Sequence, residues 1–208
     1  MGLLFPRKCI LCRRLLDRQE LDLCADCRAD TDLWRSSKTK FQFLDSVTAL
    51  WYYEKSVRGC IVRYKFYGAR HLASGLGRCL AMRILQEDAS YDLLTWVPVN
   101  SWRKLRRGYD QVELLAKAVG KELGMSPVRT LKKVRRNQKQ SSLRDVSQRR
   151  ANVLGVYRIT DPKLVEGKKI LILDDVLTTG ATAGECARML LTAGAKEVHC
   201  AVLAAARK

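Results

Sequence analysis

The chain has 208 residues, 47% of them apolar, which suits one ordinary domain plus a small appendage and excludes wholesale disorder. Lysine and arginine number 39 against 21 aspartates and glutamates, a net charge of +18 that calls for an anionic partner: nucleic acid, an anionic membrane surface or a phosphate-rich ligand. The longest apolar runs are about half of what a bilayer span needs, and the two histidines, His71 and His199, lie near no nucleophile-like motif. The opening MGLLFPRK is too short for the apolar core of a leader, so a cytoplasmic protein with no membrane insertion is expected.

In chain order, the first feature is a pair of CxxC units, Cys9-x-x-Cys12 and Cys24-x-x-Cys27. Each CxxC turn aims two thiolates at one point, and two such turns close a tetrahedron with no open position. That predicts a structural zinc ribbon. The other four cysteines (60, 79, 186, 200) stand alone and read as small buried hydrophobes. The polar stretch RADTDLWRSSKTK that follows reads as a linker, which divides the chain into a ribbon (1–38) and a larger domain (39–208).

Within that domain, Val47–Tyr53 is an apolar strand candidate, and 57–64 and 72–85 carry apolar residues at helical spacing. Leu93–Val99 reads as a buried strand. Gln111–Leu123 is an amphipathic helix that Gly124 should stop. Segment 129–150 holds few apolar residues and is expected to be a loop with a short helix. Val153–Ile159, Ile170–Leu173 and Val198–Ala204 are further strands, and Thr182–Ala193 a helix that ends at Gly194. This alternation predicts an α/β fold with a mostly parallel sheet covered on both faces.

The richest stretch is KILILDDVLTTGATAGECA, Lys169–Ala187. A strand delivers Asp174 and Asp175 to the carboxyl edge of the sheet, where such folds bind ligands. Thr178, Thr179, Gly180, Ala181 and Thr182 then lead into a helix whose first N–H groups lack partners and carry the positive end of the dipole. This is an anion cradle suited to a monophosphate. The two carboxylates cannot bind that phosphate, but they suit ribose hydroxyls or the water shell of Mg²⁺.

ILILDDVLTTGAT resembles the phosphoribosyl-pyrophosphate (PRPP) loop of type I phosphoribosyltransferases. The four-cysteine ribbon, Tyr64–Gly68 (YKFYG), Val97-Pro98-Val99, Arg107–Gln111 (RGYDQ), Gln140-x-x-Leu143 and Arg149-x-x-Asn152-Val153-x-Gly155 resemble the ComF family of competence-associated proteins over essentially the whole chain. That family usually shows Asn where this chain has Asp110, and often Thr in place of Asn137. The resemblance implies a type I phosphoribosyltransferase-like domain behind the ribbon. Asp174 and Asp175 would hold the ribose hydroxyls, and Thr178–Thr182 the 5′-phosphate. Lys65 would meet the pyrophosphate, Mg²⁺ would bridge the two groups, and Arg106, Arg107 or the 129–150 segment would close over the leaving group. No residue declares itself a catalytic base.

Nine cations and one acid fall between Arg129 and Arg150, and Trp102–Tyr109 adds four cations interleaved with two aromatics. One PRPP does not need so many. Cations alternating with stackable rings suit single-stranded DNA, with Trp102, Arg103, Arg106, Arg107, Arg135, Arg136 and Lys139 as candidate contacts. Three functions follow from these features. One is a PRPP-binding protein of DNA uptake that engages single-stranded DNA. Another is an active phosphoribosyltransferase with an unidentified acceptor. The third is a zinc-ribbon adaptor for a DNA helicase or another protein of the uptake machinery.

Overall fold

A computed structural model describes residues 6–35, 40–99, 108–135 and 153–207. The central sheet is parallel, in the order β1 (Ser46–Tyr52), β6 (Glu197–Ala205), β5 (Lys169–Leu177), β2 (Leu93–Trp96). Alternate residues of β5 serve opposite faces. Leu171 and Leu173 pack with helices α2 (Lys55–Phe66), α3 (Leu72–Leu85) and α4 (Gln111–Leu123). Ile170 and Ile172 pack with helix α5 (Ala181–Thr192) and with a two-stranded antiparallel ribbon of β3 (Leu131–Lys133) and β4 (Tyr157–Ile159). Continuous apolar strands are what a sheet buried on both faces requires.

The helices follow local sequence closely. α3 spans Leu72–Leu85, as its periodicity predicts. α4 starts at the side chain of Asp110, which accepts from the backbone N–H of Val112 and Glu113, and ends at Gly124 in the left-handed region (φ 68°). Cys60, Cys79, Cys186 and Cys200 are all buried, as expected of small hydrophobes.

Several expectations change. β5 does not stop at Leu173: its pairing with β6 runs on through Asp174↔Val202, Val176↔Ala204 and Leu177↔Ala205, so the acid pair lies inside the strand. The described part of the stretch after Cys27, residues 28–35, is no free linker. It begins as a short helix, α1 (Ala25–Asp30), and then lies along the sheet edge, where the Trp34 N–H donates to the Leu50 carbonyl and Trp34 is buried. Val153–Ile159 is extended only over β4, because a turn at 153–155 holds Gly155 at φ 66°. Part of the expected loop at 129–150 is instead strand β3.

The ribbon packs onto the body. Cys9, Ile10, Leu11, Cys24 and Cys27 share one apolar cluster with α2 and α3. Arg63 of α2 donates to the carbonyls of Ile10 (3.1 Å) and Leu11 (2.6 Å). Arg78 of α3 forms a two-point ion pair with Asp22 (2.9 and 2.6 Å). A side chain at Gly75 would stand 2.8 Å from Asp22 Oδ1 and 2.9 Å from Ile10 Cγ2, so the ribbon rests directly on the α3 backbone.

Candidate functional site

β5 carries Asp174 and Asp175 to the carboxyl edge of the sheet, with 9% and 6% of their surfaces exposed. Beyond Leu177 the chain turns through Thr178–Gly180 and enters α5 at Ala181. Gly180 caps the helix at φ 77°, a conformation that L side chains avoid. A Cβ there would also collide with the ring of Phe41, so the turn is held from outside by an aromatic. Ala181 N–H donates to Thr179 Oγ1 at 3.4 Å, and Gly184 N–H to the Gly180 carbonyl at 2.8 Å. A cleft of about 110 Å³ opens on the Phe41 side, lined among others by Lys40, Thr179, Gly180, Glu185 and Arg188.

The two carboxyls are not equivalent. Asp175 receives Lys65 Nζ on Oδ1 at 2.8 Å and Gln111 Nε2 on Oδ2 at 3.1 Å. Burial alone would raise its pKa, but Lys65 and Gln111 outweigh that and hold it below the usual carboxylate value. Asp174 accepts the Asp175 backbone N–H at 2.8 Å and, among the described residues, forms no ion pair of its own. Burial, and then the neighbouring Asp175 charge, push its pKa up. One lysine therefore serves two acids. The carboxyl left uncompensated is suited to hydroxyl donors or to the hydration shell of Mg²⁺.

Lys65 sits in the last turn of α2. A buried network places it there. Tyr64 OH donates to the Gln111 carbonyl, and Tyr109 OH donates to the Tyr64 carbonyl. Arg70 lies 5.8 Å from the Tyr109 ring centre. Tyr64 and Lys65 thus meet Tyr109 and Gln111, far apart in the chain, beneath Asp175. Asp110 is oriented inward. Besides capping α4, it accepts the Val99 N–H at 3.4 Å, and burial raises its pKa against the pull of these hydrogen bonds. An Asn would keep the oxygen that caps α4, but its NH2 would replace the Oδ2 that accepts the Val99 N–H.

Tyr109, read from the sequence as one of two stackable rings for DNA, is instead buried with its OH on the Tyr64 carbonyl, so it offers no stacking face. Neither this inward role of Tyr109 nor any role for Gln111, Tyr64 and Phe41 belongs to the sequence reading. Gln111, Tyr64 and Tyr109 sit in quoted motifs, so their presence was visible but not their convergence. Of the DNA candidates, Arg135 is described and exposed. Trp102, Arg103, Arg106, Arg107, Arg136 and Lys139 lie outside the described residues.

At the other end, the thiols of Cys9, Cys12, Cys24 and Cys27 all lie within 4.8 Å of one another, with Cys12 and Cys24 at 3.6 Å. Zn–S bonds of about 2.3 Å in a tetrahedron separate sulfurs by about 3.8 Å, so the cluster fits zinc. Burial would raise the Cys24 thiol, but the Cys27 backbone N–H and Arg14 bring it down to about 7. A thiolate ligand is thus within easy reach. The cluster supports a structural zinc. Among the described residues, no helix is long and apolar enough to cross a membrane.

The "Phosphoribosyl transferase domain" model matches residues 106–208, and the "Double zinc ribbon domain" model residues 1–38. DNA utilization protein YhgH of Salmonella typhimurium is 30% identical over 92% of this chain and 87% of its own length. Competence protein ComFC of Streptococcus pneumoniae is 31% identical over 84% of this chain and 71% of its own length. Competence protein F of Haemophilus influenzae is 24% identical over 85% and 75%. With its four-cysteine cluster, parallel sheet and phosphoribosyltransferase domain, the chain belongs to the ComF family, together with YhgH and competence proteins F and ComFC.

Proposed function

We propose that this protein acts in DNA uptake and utilisation, binding PRPP with Mg²⁺ and engaging single-stranded DNA. The relatives' names support the DNA role. The observation that carries the ligand reading is the acid pair: one uncompensated carboxyl, Asp174, stands in the same strand–loop–helix unit as the Thr178–Thr182 turn and the N-terminus of α5. Ribose hydroxyls go to Asp174 and Asp175, and the 5′-phosphate to the turn. Lys65 is the cation at the acid pair that meets the pyrophosphate. Mg²⁺, held through its water shell by the acid pair, would supply charge neutralisation for the pyrophosphate. The +18 charge exceeds what that ligand needs, and the surplus suits a polyanion.

Titration calorimetry of PRPP with Mg²⁺ tests the ligand reading. Asp174→Asn keeps the shape but cannot become the carboxylate that accepts the ligand's hydroxyls, and a charge-assisted hydrogen bond is worth about 1.5–3 kcal/mol. Affinity should fall roughly tenfold or more. Equal binding by wild type and variant rejects the assignment. The intact acid pair also favours a second reading, in which the bound PRPP reacts with an acceptor. Release of pyrophosphate, measured with and without single-stranded DNA, separates turnover from ligand sensing.

A further inference from the structure

The register of the β3–β4 ribbon holds an unusual juxtaposition. The pairing Leu131↔Ile159, Lys132↔Arg158, Lys133↔Tyr157 sets two cations directly opposite each other. Val134 N–H donates to the Val156 carbonyl and Thr160 N–H to the Thr130 carbonyl (2.8 and 2.9 Å), so the ladder continues on both sides and fixes this pairing. The inner face, with Leu131 and Tyr157, is buried against α5, and Lys133 Nζ lies 5.5 Å from the Tyr157 ring centre. Lys132 and Arg158 are exposed.

Cross-strand neighbours have Cβ atoms only about 4.5–5.5 Å apart, and like charges at that spacing destabilise a sheet. Among the described residues neither Lys132 nor Arg158 has a hydrogen-bond or ion-pair partner. Arg129 and Arg135, at the two ends of β3, are exposed as well. Residues 129–135 and 157–159 together carry five cations and no acid. A ribbon that places repelling charges face to face is relieved by an anion seated between them. Lys132 and Arg158 form the cation pair of that face, and the exposed Arg129 and Arg135 stand at its two ends to extend the positive field toward further anions.

We propose that the outer face of the β3–β4 ribbon is a backbone-binding platform for single-stranded DNA, in which Lys132 and Arg158 share a phosphodiester. This rests on the DNA-binding reading above and assigns it to residues 129–135 and 157–159. Arg158 is the new member. It lies 26 positions from Lys132, outside every basic run of the sequence, and only the strand register brings it to the face.

The test uses the full chain, a labelled oligothymidylate and fluorescence anisotropy between about 50 and 200 mM salt, for wild type, Arg158→Gln and Lys132→Gln. Each phosphate neutralised on a single strand contributes about −0.7 to the slope of log affinity against log salt. Each variant should therefore bind about fivefold more weakly at 0.1 M salt, with a slope shallower by about 0.7. The thermal midpoint without DNA should hold or rise, because a repulsion has been removed, and PRPP affinity should not change. Wild-type binding with unchanged affinity and slope in both variants overturns the platform and leaves the DNA reading standing. Loss of PRPP binding with DNA binding intact also overturns it, in favour of a small phosphate ligand. A wild-type protein that does not bind the oligonucleotide overturns the DNA reading, and the platform with it.

Discussion

Replacing Asp175 with alanine should unsettle the body of the protein, whereas replacing Asp174 with asparagine should not. Asp175 answers Lys65 at 2.8 Å and Gln111 at 3.1 Å, and the two charged side chains are only 9% and 19% exposed. Removing one partner of a buried pair costs about 3–5 kcal/mol, because the other charge is left without compensation. Lys65 keeps some contact with water, which places the loss near the lower end, about 3 kcal/mol. For a chain of this size each kcal/mol moves Tm by about 2–4 °C, so Asp175→Ala should melt roughly 6–12 °C lower at pH 7. Asp174→Asn keeps the oxygen that accepts the Asp175 N–H and removes only a charge that burial already disfavours. Its Tm should stay within a few degrees of wild type. The pH dependence sharpens the contrast. Since the folded-state pKa of Asp174 is raised, the folded protein holds a proton that the unfolded chain gives up near pH 4. Its contribution to stability is full below that value and declines as pH rises, until the raised pKa is passed. Asp174→Asn should lack that decline. Circular-dichroism melts from pH 5 to 9, with zinc held constant, measure all three proteins. Equal destabilisation by the two substitutions, or a pH profile of Asp174→Asn that matches wild type, refutes the unequal division of charge.

Three further outcomes are expected. Cys12→Ser should lose the metal seen by elemental analysis and, because Cys9, Cys24 and Cys27 share a core cluster with α2 and α3, should also lower the stability of the body; full zinc content in the variant refutes this. Gly180→Ala should cost about 1–3 kcal/mol in urea denaturation, since it forces a side chain to φ 77° and into the Phe41 ring; Phe41→Ala should restore only the steric part. Asp110→Asn should keep the α4 cap, exchange the Val99 contact for relief of a buried charge and so hold its stability at neutral pH, while Asp110→Ala should lose about 1 kcal/mol or more, as guanidinium titration would show; equal effects would refute the capping role.

The sequence by itself determined the features in which local chemistry decides. The paired CxxC spacing announced the ribbon, apolar periodicity delimited α3 and α4 closely, and the strand–DD–TTGAT–helix order placed an anion cradle at a sheet edge. Tertiary structure decided whatever depends on a partner distant in the chain. Asp174 and Asp175 look like a strand end because acids do not favour strands, yet pairing with β6 carries β5 through them and buries both. Burial then makes them unequal, because only Asp175 is reached by Lys65 and Gln111, which arrive from other helices. The stretch after Cys27 looks like a linker by composition, but the exposed edge of β1 offered hydrogen bonds and a place to bury Trp34. Arg158 looks like an isolated cation until the register sets it opposite Lys132. In each case the deciding quantity was the surroundings of a charge or an unpaired backbone group, and those surroundings exist only once distant segments have come together.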